Sequence, residues 1–105
     1  MSRLEQIQQF LLDNPKDPFL HYALAQEYIK MDDSQSALEK YLYLVEFHPK
    51  YVATYYHLGN LYYKMGQKEL AIDYFDRGIL VAKEMGEQHS LSELQSAKLE
   101  IEYED

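Results

Sequence analysis

One pattern recurs at a spacing of 34 residues, and it restricts the possible folds more than any other feature. His21-x-x-Leu24-Ala25-x-x-Tyr28 is followed by Ala37-x-x-x-Tyr41 and then Pro49. One period on, Tyr55-x-x-Leu58-Gly59-x-x-Tyr62 is followed by Ala71-x-x-x-Phe75, with Lys83 where the proline would fall. The same step backward from Pro49 lands on Pro15. A period of this length marks a supersecondary unit that cannot bury its apolar face alone and stacks on its neighbours. The apolar spacing is helical almost from end to end, and no strand alternation competes with it. The fold class expected is therefore all-α.

The spacing predicts six helices. The first covers about Ser2 to Asp13, with Leu4, Ile7, Phe10 and Leu11 on one stripe, and stops at Asn14-Pro15, since a residue before proline is pushed out of the helical region. Asp17-Pro18 opens the second, aspartate as a cap and proline at a tolerated first position, and it runs to about Met31. Asp32-Asp33-Ser34 forms a turn and supplies the cap of the third helix, about Gln35 to Phe47. The fourth covers about Val52 to Met65, ended by Gly66, which enters the left-handed conformation without strain. The fifth runs from about Lys68 to Met85, longer than its counterpart because no proline stops it, and ends at Gly86. The sixth covers about 90–103. Ser90-x-x-Glu93 reads as its capping box, and Leu91, Leu94, Ala97 or Lys98, and Ile101 form one narrow apolar stripe.

These residues and their spacing resemble the tetratricopeptide repeat, a helix–turn–helix unit. The resemblance implies a right-handed α-α superhelix of about six helices in a single domain: a lid helix at 1–14, repeats at 18–51 and 52–85, and a closing lid at 90–103. In that family the first helix of each repeat lines a concave groove that holds peptide segments. Carried onto this chain, the groove positions are Phe19, Tyr22, Gln26, Ile29 and Lys30 in the first repeat, and Ala53, Tyr56, His57, Asn60, Tyr63 and Lys64 in the second. Spacing supports this independently, since Tyr22, Gln26 and Ile29 stand at i, i+4, i+7, as do Tyr56, Asn60 and Tyr63. Tyrosine offers contact area and a hydrogen-bonding hydroxyl, while amides pair with peptide backbone. One subgroup of the family grips a C-terminal carboxylate through Lys and Asn. Here Tyr22, Gln26 and His57 hold those positions, so that clamp is missing. Lys30 and Lys64 read first as complements to the negative ends of their helices.

Composition narrows the function classes. A chain of 105 residues forms one domain and buries a core without metal or disulfide support. There is no cysteine, which excludes disulfides, thiolate sites and cysteine nucleophiles and fits a reducing compartment. No stretch reaches the ~20 apolar residues of a membrane span, and the first residues do not read as a signal peptide, so a cytoplasmic location is expected. The net charge of −8 opposes binding to a phosphate backbone. From Glu84 onward stand seven acids (Glu84, Glu87, Glu93, Glu100, Glu102, Glu104, Asp105) and a single base, Lys98. Such a run reads first as a solvated helix face and otherwise as a surface for a basic partner.

Four histidines are spread along the chain, and none pairs with another at helical metal-ligand spacing. His21 takes a core position, and His57 is the one that faces the groove. There is no His-Glu-x-x-His motif, no Gly-x-Ser-x-Gly elbow and no phosphate-cradling glycine loop. The expectation is a non-catalytic interaction module without metal or cofactor, whose partner is another protein or a peptide segment. Self-association through the same aromatic face is the rival reading.

Overall fold

The computed structural model describes residues 1–104; Asp105, counted above in the acidic run, lies outside them. Six helices follow one another among the described residues, and no strand: α1 (Arg3–Asp13), α2 (Pro18–Lys30), α3 (Ser34–Phe47), α4 (Ala53–Lys64), α5 (Lys68–Met85) and α6 (Gln88–Glu102).

Local chemistry accounts for the boundaries. The Ser2 hydroxyl accepts from the Glu5 amide at 3.1 Å, and the Glu5 carboxylate reaches back to the Ser2 amide, so the capping box belongs to α1. Asp17 caps α2 through the Phe19 amide at 2.9 Å, with Pro18 as the first helical residue. Asp33 caps α3 through the Ser36 amide at 3.1 Å. The exits from α2 and α4 are copies of each other. The Asp33 amide donates to the Tyr28 carbonyl at 2.9 Å, and the Gln67 amide to the Tyr62 carbonyl at 2.8 Å. Each such closing bond needs a left-handed residue just before it. Gly66 supplies it with φ 81° and Asp32 with φ 58°. Aspartate is among the few side chains that tolerate that region.

The sixth helix departs from the sequence expectation. Gly86 adopts φ 70°, the Glu87 amide donates to the Ala82 carbonyl at 2.9 Å, and α6 starts at once. Glu87 takes the N-cap position without a side-chain bond, so Ser90 sits inside the first turn and forms no capping box. The tight glycine turn dictates the start here, ahead of the capping preference of serine.

The chain divides into two compact units, Met1–His48 and the segment from Pro49 onward. In the first, α1 packs on α2 and α2 on α3. Ile7, Ala23 and Leu24 form a buried cluster, flanked by Leu4, Leu11 and Tyr28. Phe10 is exposed, contrary to its place in the expected stripe. The buried edge of α1 follows Leu4, Ile7 and Leu11, and Phe10 lies off that line. Ala25 and Ala37 are wholly buried, as are Tyr41 and Leu44. Burial pushes the Tyr41 hydroxyl pKa well above its ordinary value, with Tyr22 adding to the effect. The His21 ring donates through Nε2 to the Pro15 carbonyl at 2.7 Å and lies 4.2 Å from the Tyr43 ring centroid.

In the second unit α4 packs on α5, α5 on α6, and α4 also meets α6. Tyr55, one period after His21, repeats its bond by donating to the Pro49 carbonyl at 2.5 Å. Thus the large position of each repeat ties its helix to the carbonyl of a proline six residues earlier. Helices α4 and α5 approach closely where Gly59 faces the wholly buried Phe75 ring; a Cβ on Gly59 would lie 2.3 Å from that ring. Gly78 on α5 works the other way, its missing Cβ leaving room for Tyr55 and Leu94. Lys98 joins Asp76 at 2.7 Å, linking α6 to α5. Tyr62 stacks on Tyr74 at 5.5 Å, and the Arg77 guanidinium lies 4.7 Å over the Tyr74 ring.

Candidate functional site

Two of the residues predicted for the groove on α2 are in direct contact. The Gln26 amide donates to the Tyr22 hydroxyl at 2.8 Å, which confirms that positions i and i+4 meet. Tyr22, Gln26 and Ile29 are all half-buried, while Phe19 is exposed at the helix entrance. Lys30 is exposed at the last turn and pairs with Glu27 at 3.1 Å; the same carboxylate stands 3.9 Å from Arg3. Lys30 therefore complements a neighbouring acid as well as its helix end.

On α4 the expected residues separate. Tyr56, Asn60 and Tyr63 line a cleft of ≈ 230 Å³ whose opposite wall is α6. His57 is half-buried beside them, its ring edge-on to Tyr56 at 5.3 Å. Ala53 is half-buried at the first turn, and Lys64 is exposed at the last. The Tyr63 hydroxyl donates to the Glu104 carboxylate across the cleft, and this bond holds the phenol pKa above its ordinary value. Lys68 Nζ reaches the Glu104 carbonyl at 3.4 Å.

The α6 wall is what the sequence reading missed. Glu93, Ser96, Ala97 and Glu100 face the α4 tyrosines, with Ile101 and Glu104 closing the far end. The sequence predicts α6 as a lid; the helix also forms one wall of the cleft against α4. A signal was present. Counting 36 residues instead of 34 carries Tyr55 to Leu91 and Leu58 to the buried Leu94. The register shifts because α5 has 18 residues where α3 has 14, a difference offset in part by the shorter link into α6.

Burial disfavours the imidazolium of His57 and lowers its pKa from the ordinary 6.5; the charge of Glu93 opposes this less strongly. The unfolded chain then binds more protons than the folded one just below 6.5. Stability from this group is complete above 6.5 and declines as the pH falls toward the lowered folded value. We expect His57→Gln to flatten part of the fall in stability between about pH 7.5 and about pH 5.5. Urea titrations at both pH values check this; a constant gap between the two proteins would refute it.

Among the described residues no helix is long and apolar enough to cross a membrane, and no three His, Asp or Glu side chains are grouped to hold a metal.

Similarity to known proteins agrees with this geometry. The profile of the tetratricopeptide repeat matches residues 52–84. A crystal structure of a tetratricopeptide repeat domain protein from Salinibacter ruber is 52% identical, over 85% of this chain and 99% of that one, with a TM-score of 0.82. A solution structure of a tetratricopeptide repeat domain protein from the same organism gives 52% identity over 87% of this chain and 92% of that one, with a TM-score of 0.84. A solution structure of a Bordetella parapertussis protein, 21% identical over 96% of this chain and 88% of that one, shares the fold with a TM-score of 0.82. No curated protein matches the chain. With the repeat residues seated in both helical hairpins, and more than half of the aligned positions shared with a structure matched over nearly its whole length, the chain belongs to the tetratricopeptide repeat family.

Proposed function

We propose that this protein is a non-catalytic scaffold or adaptor that binds a peptide or helix along the first helices of its repeats. Members of its family are generally non-catalytic and typically bind other proteins. The observation that carries the reading is the cleft on α4, where Tyr56, Asn60 and Tyr63 share one open face. Two phenols and an amide suit an extended or helical segment, since they offer flat apolar area together with donors and acceptors. Tyr22, Gln26 and Ile29 present the same chemistry on α2, with Lys30 at its exposed last turn. His57 and Lys64 complete the α4 set. Residues 1–14 and 90–103 serve in this reading as the flanking helices of the repeats at 18–51 and 52–85.

Tyr56→Ala combined with Tyr63→Ala is expected to abolish capture of the native partner from a host lysate while leaving helicity unchanged. Each phenol is half-buried and takes no part in the α4–α5 core, so truncation removes contact area more than stability. Equal recovery of the same partner by both proteins would overturn the assignment.

Self-association is the second reading, favoured by the exposure of Leu80, Leu99 and Tyr103 on and just after α5 and α6. Light scattering over a dilution series separates the two. A dimer mass persisting at low micromolar concentration supports self-association; a monomer mass removes it.

A further inference from the structure

We infer that the cleft between α4 and α6 selects an arginine side chain on a basic segment of the partner protein. The inference rests on the interaction reading above and names the chemistry that reading leaves open. Acids alone would be a solvated helix face. Here Glu93, Glu100 and Glu104 share a single cleft with the rings of Tyr56 and Tyr63. No lysine or arginine lines it among the described residues. Glu93 and Glu100 accept no hydrogen bond and join no ion pair among those residues, in contrast to Glu104, which Tyr63 and Lys68 hold. Two carboxylates without an ion-pair partner among the described residues therefore share a recess of ≈ 230 Å³ with two tyrosine rings.

A guanidinium fits this combination better than other side chains. It is planar, always charged, bonds carboxylates through two parallel donors, and stacks on tyrosine. Its aliphatic stem covers the apolar area that the half-buried Ala97 offers. An acidic or C-terminal carboxylate group would meet repulsion in the same place. The net charge of −8 adds attraction for a basic segment at longer range.

The test uses the full chain and a fluorescein-labelled peptide of alternating arginine and glycine, with citrulline replacing arginine in a second peptide. Citrulline keeps the shape and removes the charge. In about 150 mM salt the arginine peptide is expected to move the amide resonances around Tyr56, Asn60 and Glu100, and the citrulline peptide to leave them in place. Glu93→Gln with Glu100→Gln, both exposed positions, is expected to weaken anisotropy-measured binding about fivefold. Glu39→Gln with Glu46→Gln removes the same charge from residues that do not line the cleft and is expected to change it less than about twofold. The inference falls if citrulline binds equally, if the Glu39 and Glu46 variant weakens binding as much, or if the arginine peptide moves nothing up to about 1 mM. These outcomes leave the interaction reading standing, because that reading is judged by the tyrosine double variant and the native partner.

Discussion

Gly78→Ala is expected to destabilise the protein by about 2 kcal/mol, although helix propensity alone favours alanine by about 1 kcal/mol. Gly78 lies inside α5, where its Cβ would fall 2.4 Å from the Tyr55 Cβ and 3.1 Å from a Leu94 methyl. The first neighbour is attached directly to the α4 backbone, so a rotamer change cannot relieve it. Either α4 and α5 separate or Tyr55 gives up its bond to the Pro49 carbonyl. Overpacking costs about 1–3 kcal/mol, and a contact this short against a Cβ belongs at the upper end, which exceeds the propensity gain. Urea denaturation measures the result as a lower midpoint at unchanged slope. A higher midpoint would mean that the helices do not approach as described. Gly86→Ala is the internal control. Nothing lies within 4 Å of its Cβ position, so only the φ of 70° resists substitution.

Phe75→Ala is expected to cost more, about 3–5 kcal/mol. The Phe75 ring is wholly buried and fills the space that Gly59 leaves open on α4. Truncation leaves a cavity bounded on one side by backbone, which does not collapse readily. Domains of this size hold only about 5–15 kcal/mol in total, so the variant is expected to be partly unfolded near body temperature. Calorimetry reads the loss directly as a lowered melting temperature. Phe75→Leu is expected to recover about half, since it refills part of the volume. A melting temperature unchanged by Phe75→Ala would place the ring outside the core.

The residues that repeat at 34 were legible because their roles are local. Leu24 and Leu58 point into helical hairpins through spacing alone, and both are buried. Gly59 stands in the repeated pattern where Ala25 stands one period earlier, and Phe75 occupies the space beside it. Gly78 was not readable, because one period earlier stands Leu44, a bulky core residue with no hint of a gap. The gap is imposed by Tyr55 on α4 together with Leu94 on α6, which both fit beside Gly78. The acidic wall of the cleft escaped for a related reason. Keeping the period at 34 aligned Ser92 with Leu58 and made α6 look unlike a repeat helix. Phe10 shows the opposite error, an apolar side chain assigned to a face it does not join.

The length of α5 has a practical consequence for anyone wishing to concatenate further hairpins onto this chain. A module spliced on by the regular count would enter two positions early relative to Leu91, which turns its helix by about 200° at 3.6 residues per turn. Its oily side would then look outward into water, and the hybrid would aggregate. Grafts keyed to Leu91 and Leu94 keep the seam dry.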